Sequence, residues 1–76
     1  EKELKAGMWY LCKTDELPTF TKGKYYLIKS LTMYHVHIFD TYMGVKWFSY
    51  NDAEKYFDAS YGYSDNPNLG LPDPFK

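Results

Sequence analysis

The chain has 76 residues, nine of them Tyr, five Phe and two Trp, and a formal charge of −1. That length limits it to one domain with a small core, here residues 8–63 followed by a tail, 64–76. All nine basic residues are Lys, and without arginine forks or a basic excess the general footprint of a nucleic-acid binder is excluded. A lone cysteine, Cys12, excludes an internal disulfide, and no apolar run reaches membrane-spanning length. A reducing cytoplasm is the expected compartment.

In chain order, residues 1–7 form a charged leader ending in Gly7. Residues 8–14, MWYLCKT, have the composition of a first strand. A loop with Pro18 and Gly23 follows. KYYLIKSL (24–31), YHVHIFD (34–40) and GVKWFSY (44–50) read as three further strands. The last two are joined by a short hairpin in which Gly44 is expected to take the left-handed position. NDAEKYF (51–57) reads as one or two turns of helix, with Asn51 as its cap and Glu54 at the third position. The remainder reads as extended, with a short pairing near 59–63.

Period-two alternation sets Val36 and Ile38 against His35, His37 and Phe39, and Tyr26 and Ile28 against Tyr25 and Leu27. The expected core is Trp9, Leu11, Tyr26, Ile28, Val36, Ile38, Trp47 and Phe57, with the register of the first strand left open. So many aromatics cannot all be interior in a small body, so surface Tyr should serve an interface. Tyr25, Tyr34, Tyr50 and Tyr61 are candidates for an aromatic peptide groove.

Catalytic signatures are lacking, and a non-enzymatic protein without a cofactor is expected. His35 and His37 share one strand face, within reach of one metal ion. A metal-binding protein or enzyme using them is the alternative of different class, but a structural zinc site needs four ligands and a catalytic one three plus water. Cys12 lacks an evident acid or oxyanion partner and reads as a small buried residue. Residues 50–76 hold Asp52, Glu54, Asp58, Asp65 and Asp73 against Lys55 and Lys76. With Tyr61 and Tyr63 nearby, this acidic part suits a basic partner, and charge mimicry of DNA against a host nuclease is one reading of it.

The order strand, loop, three-strand meander, helical turn and extended end is that of an SH3-like barrel. FTKGKYYLIKS…VHIFDTYMGVKWFSYNDAEKYF, spanning 20–57, resembles small phage-encoded SH3-like proteins. The resemblance implies a short accessory protein that binds and inhibits a bacterial host protein. In the tail, NLGLPDPF (68–75) resembles the linear motif with which bacterial proteins engage the DNA replication sliding clamp. Asn68 stands where Gln is preferred, Leu69, Leu71 and Pro72 match, and Phe75 follows Asp73. The resemblance implies the sliding clamp as host partner, with no direct nucleic acid and no membrane involved. The tail could instead fold back over the barrel edge, and open strand edges also allow a homodimer.

Overall fold

The computed structural model describes residues 3–68. Five antiparallel strands and one helix follow in the order β1 (Trp9–Cys12), β2 (Tyr25–Leu31), β3 (His35–Phe39), β4 (Val45–Ser49), α1 (Tyr50–Tyr56) and β5 (Phe57–Tyr63). The sheet order is β4-β3-β2-β1-β5. β4 and β5 are therefore its edges, and no pairing between them closes a barrel among the described residues. Helix α1 occupies the gap, packing on β3, β4 and β5.

β2 serves both halves of the sheet. Ile28 faces Ile38 and Ser30 faces His37, so Lys29 is an extra residue that bends the strand. The bulge also switches the alternation: Tyr26 and Ile28 are buried before it, whereas Leu31 faces the buried Val36 after it. A larger irregularity lies in β5. Trp9 faces Tyr63 and Leu11 faces Asp58, so residues 59–62 bow out opposite Tyr10. Asp58 Oδ1 holds the start of the bow, accepting from Ser60 N (2.9 Å) and Ser60 Oγ (2.6 Å). Gly62 is required there, because a Cβ on it would stand 2.8 Å from the Tyr10 hydroxyl.

Tyr26, Ile28, Val36, Ile38 and Phe57 are buried as the alternation implies. The first strand's open register resolves against Trp9 and Leu11, which face outward, half-buried, while Tyr10 and Cys12 enter the core. Both faces of WYLC are apolar, so composition alone could not orient it. Trp47 is likewise not a core residue but 65% exposed, and Phe48 beside it packs on the core instead. The loop residue Phe20 completes the interior. It meets Tyr26, Phe48 and Phe57 edge-on, with ring centroids 4.8, 5.7 and 5.4 Å away.

Two local expectations are corrected. The left-handed residue of the β3–β4 turn is Met43 (φ 67°), not Gly44. Asp40 enforces this by accepting from Tyr42 N and Gly44 N through Oδ1 (2.9 and 2.8 Å), which winds the chain tightly around one carboxylate. The helix cap is Ser49, whose Oγ accepts from Asp52 N (3.1 Å), and Asn51 lies inside the helix. The pairing expected near 59–63 is part of a longer strand beginning at Phe57. Among the described residues, no helix is long and apolar enough to cross a membrane.

Candidate functional site

The outer surface of the β3–β4 hairpin gathers the most conspicuous exposed group, the Trp47 indole. Alternation turns His35, His37 and Phe39 outward on β3, opposite Ser49, Trp47 and Val45 on β4. The Trp47 ring lies flat on the His37 imidazole, with centroids 4.3 Å apart and planes at 12°, and it also meets His35 at 5.6 Å. His37 Nδ1 is engaged with Ser30 Oγ at 3.2 Å, while its Nε2 is buried without a hydrogen-bond partner. The imidazole thus forms a floor that fixes the indole, which remains open to solvent.

Beside Trp47 lies a cleft of about 220 Å³, lined by Leu17, Pro18, Phe20, Phe48 and the stem of Lys46. The β1–β2 loop makes its far wall and is tied to the hairpin by Thr41 N donating to Thr19 O (3.1 Å). The Tyr26 hydroxyl strengthens the tie, accepting from Thr21 N (2.7 Å) and meeting Thr41 Oγ1 at 3.0 Å. Lys46 Nζ bonds Asp40 Oδ2 at 3.1 Å on the rim. Burial alone would push the Asp40 carboxyl up, but Lys46 and the N–H groups of Gly44 and Tyr42 outweigh it and hold it below the usual aspartate range.

Trp47 is among the expected core residues, yet its side chain lies on the outer face of β4. No signal within a single strand reports that the neighbouring Phe48 takes the core side. The parity of GVKWFSY admits either face, and the contacts of Phe48 with Phe20 and Phe57 decide it.

The other candidate residues separate into different places. Asn68 is 3% exposed. Its Oδ1 accepts from Tyr25 N and its Nδ2 donates to Tyr25 O, both at 3.0 Å, so the amide is used within the chain. Leu69, Leu71, Pro72 and Phe75 lie outside the described residues. Asp52 and Glu54 are exposed on α1, and Asp58, the second residue of β5, is half-buried. Lys13 stands with Glu54 and Asp58 around a shallow depression, its Nζ donating to Glu54 O (3.3 Å), so this acidic patch is interrupted by a cation.

Tyr61 and Tyr63 meet edge-on at 4.6 Å, and Tyr63 meets Tyr25 at 5.3 Å. Burial first, then Tyr63 and Asp58, push the Tyr25 phenol up. Tyr34 lies in the β2–β3 turn, and the Tyr50 hydroxyl bonds Thr32 O in the same turn (2.5 Å). The four tyrosines of the expected groove therefore divide between two parts of the surface.

His35 and His37 do share a face, but no group of three or more His, Cys, Asp or Glu side chains converges among the described residues. Cys12 faces the core, donates to Thr14 O (3.2 Å), and burial pushes its thiol up. Both histidines are on the outer face, so neither is placed to act as its base. Comparison with protein families, curated proteins and solved structures gives no match.

Proposed function

We propose that this chain is a small non-enzymatic binding protein of SH3-like build that inhibits a bacterial host protein by covering one of its surfaces. The proposed setting is the host cytoplasm, in the manner of phage-encoded accessory proteins. The SH3-like reading is supported by the strand order β4-β3-β2-β1-β5, the long loop after β1 and the single helix before β5.

The observation that carries the binding reading is Trp47, 65% exposed and held flat on His37 next to an apolar cleft. An indole fixed in advance loses little conformational entropy on docking. Tryptophan is also the residue type most enriched among binding hot spots. β4 adds a second means of contact. Val45, Trp47 and Ser49 occupy the non-hydrogen-bonded positions opposite β3, so their main-chain groups turn toward the outer edge of the sheet, where an extended segment could pair.

The sliding clamp is the host protein to assay first. Asn68 is engaged with Tyr25, so a clamp peptide in the tail would lack its polar leading residue. We therefore place the contact at Trp47. The test is capture of purified sliding clamp, and of proteins from bacterial lysate, by the immobilised full chain and by Trp47→Ala. Loss of about 2 kcal/mol or more of binding is expected for the variant, as for a hot-spot residue. Its far-UV circular dichroism should be unchanged. Equal retention by both chains refutes the Trp47 surface, and capture of no host protein by the full chain refutes the inhibitor reading.

A further inference from the structure

The two edges of the sheet are unlike. On β5, residues 59–62 bow out of the ladder and the Asp58 carboxylate stands at the start of the bow. Irregularities and charges of this kind keep an edge from pairing. β4 has no such guard. Its sequence, VKWFS, is without proline, and it pairs with β3 residue for residue from Val45 to Ser49. Its one charge, Lys46, is bonded to Asp40. Among the described residues, no strand pairs with its far side.

Trp47 is the middle residue of this edge. Val45, Trp47 and Ser49 turn their main-chain groups outward, as residues at non-hydrogen-bonded positions opposite β3 do. One face of the indole lies on His37, the residue directly across on β3. The other face is therefore turned away from β3, toward the place that a next strand would take.

We propose that a second copy of this chain takes that place, its β4 antiparallel to the first about a two-fold axis at Trp47. Symmetry fixes the register. Trp47 faces the partner's Trp47, and the two exchange both main-chain bonds. Val45 faces the partner's Ser49, and Lys46 faces the partner's Phe48. Like charges, which oppose pairing when they stand across from each other, do not meet in this register. Lys46 can instead lay its apolar stem along the facing ring. Cα atoms of a hydrogen-bonded pair stand about 5.5 Å apart, within the range of about 4.5–7 Å that ring centroids prefer. His37, Trp47, the partner's Trp47 and the partner's His37 then form one continuous stack. The pairing is closed, because it uses the same edge of both copies. A five-residue strand pair is a small interface, so the dimer forms and dissociates with concentration. The inference goes beyond the host contact proposed above and does not depend on it. Both use the indole of Trp47, so a host segment that pairs with β4 must displace the copy.

The test is sedimentation equilibrium of the full chain and of Trp47→Lys, which sets like charges across the axis. The average mass of the full chain should rise from one chain toward two with concentration. The variant should stay at one chain, with far-UV circular dichroism retained. A second measurement needs no substitution. In a mixture of isotope-labelled and unlabelled full chains, filtered nuclear Overhauser spectra should connect the Trp47 indoles of the two copies. A mass of one chain at every concentration overturns the inference. So does an undiminished dimer in Trp47→Lys, or a dimer without contact between the indoles. Host capture is a separate outcome: a single chain that retains a host protein overturns only the self-pairing, and a Trp47-paired dimer that retains none supports it while refuting the inhibitor reading.

Discussion

Asp40 shows how much one buried side chain can organise. A single carboxylate winds the β3–β4 turn, holds Met43 in the left-handed region and pairs with Lys46 beside the cleft. Its folded pKa lies below the unfolded value of about 3.9, so its contribution to stability is complete above that pH and is lost as pH falls through the folded value. Asp40→Asn should cost about 1–3 kcal/mol at neutral pH, the range for disturbing a buried charged hydrogen-bond acceptor. Its urea midpoint should also vary less with pH between about 5 and 2 than that of the unmodified chain. A parallel acid limb in both proteins contradicts this role. The pattern of Asp40 followed by Gly44 marks a hairpin in the sequence. That Met43 bears the positive φ could not be read there, since glycine is the cheaper residue for that conformation.

The elements were largely legible, because alternation and turn residues are local. β2, β3, β4 and α1 all lie within one or two residues of their expected spans. β5 was harder to read, since residues 59–62 bow away from β1 and the strand lacks regular alternation. Nothing local announces Asn68 as a strand partner: its role depends on Tyr25, 43 residues earlier. Asn68→Ala removes a donor and an acceptor together and leaves both main-chain groups of Tyr25 without their partners. A loss of about 1–3 kcal/mol is expected. Faster hydrogen exchange at the Tyr25 amide is the direct readout, and an unchanged exchange rate would show that the Asn68 side chain is dispensable.

The whole molecule rests on an aromatic interior. Phe20, Tyr26, Phe48 and Phe57 meet edge-on around one centre, an arrangement that adds to the burial of their surface. So small a domain has a narrow margin of stability. Phe20 comes from the β1–β2 loop and joins it to both halves of the sheet. Phe20→Ala should cost about 3–5 kcal/mol, enough to leave much of the chain unfolded in a urea titration at room temperature. A near-native midpoint would mean that the loop closes without its aromatic anchor. The same loop forms one wall of the cleft at Trp47, so a milder Phe20→Leu should weaken the proposed docking more than it weakens the fold.

The sequence by itself determined the β-rich class, the order of strands and helix, and the faces of β2 and β3. These follow from alternation, turn residues and helix chemistry acting over a few neighbours. Only the tertiary structure decided which of two apolar faces β1 buries, that Phe48 and not Trp47 enters the core, and where Asn68 goes. The physical reason is common to all three: each choice compares side chains that are equally suitable locally. It is settled by packing against Phe20, Phe57 or Tyr25, which are distant in the chain and adjacent only after folding.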